Sequence, residues 1–489
     1  MPCTTILVGK KASYDGSTMM ARNEDAGGQT FDVKKFTVVR PEDQPRHYKS
    51  HLTGFEIDLE EAPMRYTSMP NALTYVEGIW AEAGFNEENV AMSATETITS
   101  NPRVLGADPL VPDGIGEEDM TTIVLPYIHS ARDGVRRMAM LLEKYGTCEK
   151  NGIGFQDVDE IWWMETIGGH HWIAKRVPDD AYVVGPNQLG IDSFDFVDAM
   201  SEQKAYMCSA DMVAFIGDNH LDVMAHDEPL PQVTDFDVRG ALGSRRDSDH
   251  IYNTPRAWFM ERYLNPRTYI WDGPEADYTP ESDDLPWSLV PERLITPEDI
   301  KYVLSAYYQG TPYNPYSTRG DVSERGKYRA IGVNRNNFVA ITQLRPYLPE
   351  EIRAVEWIAE GSNVFNTMFP FYGNVDDAPA YLRDTTELVT TENFYWVNRL
   401  IGVIADAHFA DCIQHIERYS LATVSQGHAF LNTFDREYLE KQPEDAAAFL
   451  TACNQKIADY AREQTYDLLG KVLHSASLKM KNAFSRSDS

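Results

Sequence analysis

Residues 1–25 read MPCTTILVGKKASYDGSTMMARNED, and the fold class follows from this stretch. Thr4–Val8 is a short β-rich run that begins directly after Cys3; Tyr14-Asp15-Gly16-Ser17 is a turn signal; residues 18–21 resume strand character. Together they predict a hairpin that places Cys3 near Arg22 and Asp25. On an ideal strand, positions three apart face opposite sides. For both side chains to reach Cys3 the second strand has to end or bulge between them, and Asp25-Ala26-Gly27-Gly28 offers such a break.

Outward from the hairpin, residues 36–39 and 89–94 read as further strands, and residues 101–119 as a loop rich in proline, glycine and acid. Residues 121–145 carry helical spacing (Ile123, Tyr127, Ala131, Val135) with Gly146 as a stop. Residues 160–177 and 181–184 return to strand, 254–263 and 297–308 to helix, and 338–344 and 354–359 to strand. Near Thr390 the composition turns helical as far as about Ala483, with a break around Gln442-Pro443. The expected organisation is a core over residues 1–389 and a helical region over 390–489, an α+β architecture with layered sheets.

The chain has 489 residues, 43% hydrophobic and 24% charged, enough to bury a large core. With 44 Lys and Arg against 75 Asp and Glu, the formal charge of −31 gives no basic footprint for nucleic acid or an anionic membrane. No run of about 18 apolar residues is present to span a bilayer, and the first residues do not read as a secretory signal. Five cysteines without a C-x-x-C pair suit a reducing cytoplasm better than a disulfide scaffold.

Cys3 could serve as a nucleophile with its own α-amine as base once Met1 and Pro2 are removed, because that amine titrates near neutrality. The bland alternative is a buried strand cysteine. Arg22-Asn23-Glu24-Asp25 shifts the balance: a guanidinium near a thiol favours thiolate, and a carboxylate can hold an α-ammonium. The bland alternative there is a surface charge cluster at a strand end.

These residues extend into a set. Cys3-Thr4-Thr5-Ile6-Leu7-Val8-Gly9, Asp15-Gly16-Ser17-Thr18, Ala21-Arg22-Asn23-Glu24-Asp25, Gly84-Phe85-Asn86-Glu87 and Ser93-Ala94-Thr95-Glu96-Thr97 are followed by Leu105-Gly106-Ala107-Asp108-Pro109 and Gly169-His170-His171-Trp172. Pro178-Asp179-Asp180, Pro186-Asn187-Gln188, Thr254-Pro255-Arg256 and Phe369-Pro370-Phe371-Tyr372 complete it. In their joint order they resemble the C69 dipeptidases, relatives of the choloylglycine hydrolases and penicillin V acylases in the N-terminal nucleophile superfamily. The resemblance implies an αββα sandwich, two antiparallel sheets between helical layers, with a helical C-terminal region packed on it. It implies Cys3 as nucleophile, Arg22 and Asp25 as its flanking pair, Asn86 as an oxyanion-hole asparagine, Asn187 as a second asparagine near the site and Arg256 as a further active-site arginine. The implied reaction is thiol attack on a dipeptide carbonyl, a thioester intermediate and hydrolysis, with no metal or cofactor. Its partners are dipeptide substrates, with no nucleic acid and no membrane; a homo-oligomer is left open. The length and the Ala-Thr-Glu-Thr and Gly-His-His-Trp stretches favour the dipeptidase branch, although Met1-Pro2 is a very short leader.

Three rivals remain: an acylase of non-peptide amides, a non-catalytic relative like the secernins, and a metallopeptidase built on His408, Asp411, Cys412 and His415, which share helical spacing. His170-His171 is a weaker metal pair, since neighbours on a strand face opposite sides. The acidic residues between Asp108 and Asp119 could recognise a substrate amine or calcium, but such a loop is more often solvated.

Overall fold

The computed structural model describes residues 3–28, 30–224 and 228–481, with the side chains of Thr95 and Glu96 set aside. Met1 and Pro2, expected as a leader, lie outside the described residues. The hairpin forms where the turn chemistry places it. Thr4–Val8 pairs antiparallel with Thr18–Asp25, Thr5 opposite Arg22 and Leu7 opposite Met20. The second strand is longer than residues 18–21 suggest and runs unbroken through Asp25.

This hairpin is the centre of a seven-stranded sheet. Tyr182–Gly185 and Ser288–Leu289 continue it beyond Thr4–Val8; Asn336–Leu344, Ala354–Glu360 and Phe369–Tyr372 continue it beyond Thr18–Asp25. A six-stranded sheet runs in the order Tyr206–Cys208, Trp172–Arg176, Ile161–Thr166, Asn151–Gln156, Ala91–Glu96, Ala83–Phe85. Every pairing in both sheets is antiparallel.

Alternation along the hairpin sorts its side chains into two cores. Leu7 and Met20 point inward and pack with Phe85, Trp163 and Val183 between the sheets. Gly154 lies so close beneath Met20 that a Cβ there would sit 2.4 Å from the Met20 Sδ, which fixes the sheet spacing at that point. Ile6, Val8, Met19 and Ala21 point outward, into a cluster shared with Trp258, Ile300, Trp357, Leu450, Ile457 and Val472. The helices Thr254–Leu264, Pro297–Leu304, Phe394–Ala407, Phe409–Lys441 and Ala446–Ser477 supply that cover. On the far side, Met92, Ile153, Phe155 and Trp162 pack on Ile123, Val135 and Met138 of two further helices. The layer order is helices, sheet, sheet, helices: the αββα sandwich expected.

The helix expected over residues 121–145 is two helices, Glu117–Val124 and Ala131–Tyr145. Pro126 interrupts the first ladder, and the Ser130 side chain accepts from the Asp133 N–H to start the second. The stretch expected as a loop, residues 101–119, holds the short helix Pro102–Ala107, capped by Asn101, and the first turn of Glu117–Val124. Near residue 442 the chain behaves as expected: Gln442 adopts a left-handed φ of 44° that ends one long helix, and Asp445 caps the next.

The C-terminal helices do more than cover a face. Phe369–Tyr372 is the outermost strand of its sheet. Its Tyr372 N–H donates to the Asn454 Oδ1 at 2.8 Å, and the Asn454 Nδ2 donates to the Tyr372 carbonyl at 3.0 Å. One side-chain amide thus satisfies both backbone groups that a further strand would pair.

Candidate active site

Cys3 is fully buried at the head of the central strand. Arg22, opposite Thr5, projects from the same inward face, and its Nη2 donates to the Cys3 Sγ at 2.9 Å. The same Nη2 donates to Glu117 and forms an ion pair with Glu82. Arg22, Glu82 and Glu117 have fully buried side chains. Cys3, Glu82 and Glu117 present ligand-type atoms within 4.8 Å of one another, a spacing that a cation could bridge; the Arg22 guanidinium already supplies positive charge there.

Burial pushes the Cys3 thiol well above its usual range, Arg22 pulls it back in part, and Glu117 and Glu82 push it further up. The expectation that Arg22 favours thiolate has the right sign for the arginine alone. Two carboxylates and the lack of water outweigh it, so the thiol is protonated at neutral pH. Burial likewise raises Glu82 well above the carboxylate range despite Arg22. Glu82 has a left-handed φ of 63° and Trp80 one of 46°, so this carboxylate is delivered by strained backbone.

Asp25 lies on the other face. The strand alternates without a bulge, so Asp25 points outward, where it pairs with Arg329 and accepts from the Asn336 Nδ2. The bulge that the sequence seemed to require sits on the partner strand, between Asn336 and Phe338. Arg22 and Asp25 therefore do not flank the thiol together.

Arg256, near the start of the helix Thr254–Leu264, uses all its N–H groups. Nη1 donates to the Cys3 carbonyl at 2.5 Å and the Thr4 Oγ1 at 2.7 Å, Nη2 to the Asn187 Oδ1 at 2.7 Å and the Asn253 Oδ1 at 2.8 Å, and Nε to the Tyr252 carbonyl at 2.7 Å. It ties the Cys3 backbone to the Asn187 side chain.

Asn86 departs from its expected role. Its Nδ2 donates to the carbonyls of Leu125 at 3.0 Å and Ile128 at 2.7 Å, and its Oδ1 accepts from the N–H groups of Glu88 and Val90. Both amide hydrogens are committed, so none remains for an oxyanion. Asn86 is a turn residue that locks the segment between the two helices. Asn86→Ala is expected to cost about 2–4 kcal/mol of stability, by taking the partner from four backbone groups, three of them on buried residues, and to leave turnover per folded molecule nearly unchanged. Chemical denaturation alongside turnover checks this; a large fall in turnover at unchanged stability would restore the oxyanion role.

Of the acidic candidates, Asp108, Glu118 and Asp119 make structural hydrogen bonds, while Glu117 stands on Arg22 beside Cys3. Glu117, Glu118 and Asp119 are buried rather than solvated. The Glu118 carboxylate accepts from Ser50 Oγ and the Leu52 N–H, and Asp119 accepts from the Tyr48 hydroxyl at 2.7 Å and caps its own helix through the Gly116 N–H. Asp108 gathers the adjacent histidines, accepting from both their backbone N–H groups and both Nδ1 atoms. Burial opposes its ionisation, but these hydrogen bonds, led by His171, hold the carboxyl well below the usual range. His170-His171 precedes its strand in a turn, which is why the two side chains converge instead of diverging. The helical set does not converge: His408 caps a helix, Cys412 is buried, His415 meets Ser475, and Asp411 meets Lys479. All five cysteines are free, and no helix among the described residues is long and apolar enough to cross a membrane.

The profile of peptidase family C69 matches residues 2–422. The chain is 51% identical to a dipeptidase of Bifidobacterium longum (strain NCC 2705), covering all of both chains. It is 52% identical to a probable dipeptidase A of Streptococcus pyogenes serotype M3 (strain SSI-1), again end to end. Among solved structures, penicillin V acylase from Agrobacterium tumefaciens aligns over 76% of this chain and 86% of its own, at 12% identity and a TM-score of 0.32. With its whole length matched at this level, the chain belongs to peptidase family C69.

Proposed function

We propose that this protein is a cysteine dipeptidase in which Cys3, made N-terminal by removal of Met1 and Pro2, is the nucleophile. The observation that carries the reading is the buried Cys3, with its Sγ on Arg22 at 2.9 Å and its carbonyl held by Arg256. A protonated, water-free thiol needs a base beside it, and the freed α-amine is on the same residue. It takes the Sγ proton as sulfur attacks the dipeptide carbonyl. The Asn187 side chain, whose Oδ1 accepts from Arg256, is assigned the oxyanion role in this reading. The α-ammonium then protonates the leaving amine, and the same amine deprotonates the water that hydrolyses the thioester. Glu82 and Glu117 set two acidic side chains beside the nucleophile, and an arriving α-ammonium of a dipeptide would favour the ionised form of Glu82, whereas an anionic acyl group would oppose it. Asp25, paired with Arg329 on the outward side of the strand, takes no part in these steps.

The test is hydrolysis of a dipeptide panel set against penicillin V and conjugated bile salts. Dipeptides are expected to be the preferred substrates, with activity lost to iodoacetamide and kept after exhaustive chelation. Preference for either amide, or activity lost to chelation and restored by zinc, would sink this reading.

A further inference from the structure

A second buried ion pair stands near the nucleophile and takes no part in the proposed steps. Glu24 lies two residues after Arg22 on the strand Thr18–Asp25 and so shares its inward face. The Glu24 Oε2 forms an ion pair with the Lys34 Nζ at 2.9 Å, and the Glu24 Oε1 accepts from the Asn337 Nδ2 at 3.0 Å. Both Glu24 and Lys34 are fully buried. Replacing such a pair by apolar residues of similar volume is often neutral or stabilising, so stability alone does not account for it.

The Lys34 Nζ also donates to the Trp80 carbonyl at 3.2 Å. Trp80 and Glu82 are the two left-handed residues of the segment that brings the Glu82 carboxylate to Arg22. That segment is fastened on both sides. Asn71, whose backbone bridges to Lys34, donates its N–H to the Ile79 carbonyl at 2.9 Å, and the Met69 N–H donates to the Ala81 carbonyl at 3.1 Å. Opposite, the Ile79 N–H donates to the Glu118 Oε1 at 3.3 Å, one residue from Glu117 on the first turn of its helix. Lys34 is the side chain that grips a left-handed residue directly, and its anchor is Glu24. Strand geometry sets Glu24 roughly 7 Å along the chain from Arg22, the residue that Glu82 has to reach.

We propose that Lys34 is a positioning residue for the nucleophile: seated on Glu24, it holds the Trp80 carbonyl so that Glu82 stands on Arg22 and the Arg22 Nη2 keeps its place on the Cys3 Sγ. This rests on Cys3 being the nucleophile and holds whichever amide is hydrolysed. Without Lys34 the left-handed residues relax, Glu82 withdraws, and Arg22 is held by Glu117 alone. The charged groups facing the thiol are Arg22 from its neighbouring strand, Glu82 from the segment before Ala83–Phe85, and Glu117 from the helix Glu117–Val124. Glu82 is one of the two that push the thiol up, so its withdrawal lets Arg22 favour the thiolate at lower pH.

The test is kcat and KM against pH, for the amide of the panel that the protein hydrolyses best, in wild type, Lys34→Met, Glu82→Ala and the protein carrying both changes. Lys34→Met is expected to lower kcat by about 10- to 100-fold with KM nearly unchanged, the effect of misplacing a reacting group. The rising limb of its pH profile is expected at lower pH than in wild type. In the Glu82→Ala background the same change is expected to alter kcat by less than about twofold, because Lys34 acts through Glu82. Should Lys34→Met unfold by stranding Glu24, Lys34→Met with Glu24→Gln removes the stranded charge and carries the same expectations. The proposal is overturned if the effects of Lys34→Met and Glu82→Ala multiply. It is also overturned if the folded lysine variant keeps the wild-type kcat, or shows the wild-type profile at reduced amplitude. Cys3→Ala on the same substrate separates the two readings: activity surviving there overturns Cys3 as nucleophile, whereas multiplying effects with Cys3→Ala inactive overturn the role of Lys34 alone.

Discussion

Cys3→Ala is expected to abolish dipeptide hydrolysis, lowering turnover by on the order of 10⁶-fold, the scale seen when a nucleophile acting as part of a unit is removed. The fold should survive. Alanine fits the space of a fully buried cysteine, and Arg22 keeps its pairs with Glu82 and Glu117. The variant should also differ in mass. If the Cys3 thiol attacks the Pro2 carbonyl, a thioester forms, the Pro2–Cys3 peptide bond breaks, and water releases Pro2 to leave a free α-amine on Cys3. Wild-type protein is then expected to begin at Cys3, and Cys3→Ala to keep Pro2. Intact-mass measurement beside turnover checks both points. Full activity with Pro2 still attached would remove the amine from the mechanism, since an amide nitrogen cannot act as base.

Arg22→Ala is expected to be the most destabilising of the site variants, by about 3–5 kcal/mol, because it leaves buried acids without their counter-charge. The loss should depend on pH with a definite sign. Burial already raises Glu82 well above the ordinary carboxylate range with the arginine present, and Arg22 is the leading influence holding it down. Without Arg22 the folded state keeps the Glu82 proton to still higher pH than the wild type does. Stability of the variant relative to wild type therefore falls as pH rises through the raised range in which wild-type Glu82 ionises, and the difference is recovered below it. Urea denaturation of both proteins across that range measures the effect. A constant difference would mean that Arg22 does not balance Glu82 and Glu117.

The parts of the fold that local chemistry writes were legible. The hairpin followed from β-branched residues around an Asp-Gly turn, and the break near Gln442 from a following proline. The division of residues 117–145 into two helices was also written there, in Pro126 and in Ser130 three before Asp133, but continuous apolar periodicity masked it. The site was legible only where it lies on the hairpin. Cys3 and Arg22 meet through the register of two adjacent strands. Asp25 was misplaced because its strand does not break. Glu82 and Glu117 arrive from segments distant in sequence, and a buried acid looks like a solvated one until its arginine is known. The run of acids ending at Asp119 was a weak signal for Glu117; for Glu82 there was none. Arg256 came from resemblance alone, and Asn86 shows how a motif can be matched and its role misassigned: its turn geometry leaves no hydrogen to give.

The amide of Asn454, seated on Tyr372, has a consequence for solubility. An uncovered outer strand is a template on which another chain can add its own, and sheet proteins avoid this by blunting such edges. Here the blunting group sits in the last helix, beyond residue 422 where the family-wide match stops. A chain shortened at that boundary would keep Cys3, Arg22 and Arg256 yet lose Asn454, together with the apolar residues Leu450, Ile457 and Val472 that cover the sheet. It would expose a pairing-competent edge beside a greasy face, a combination that drives strand-to-strand aggregation. The final helix thus guards the molecule against its own copies.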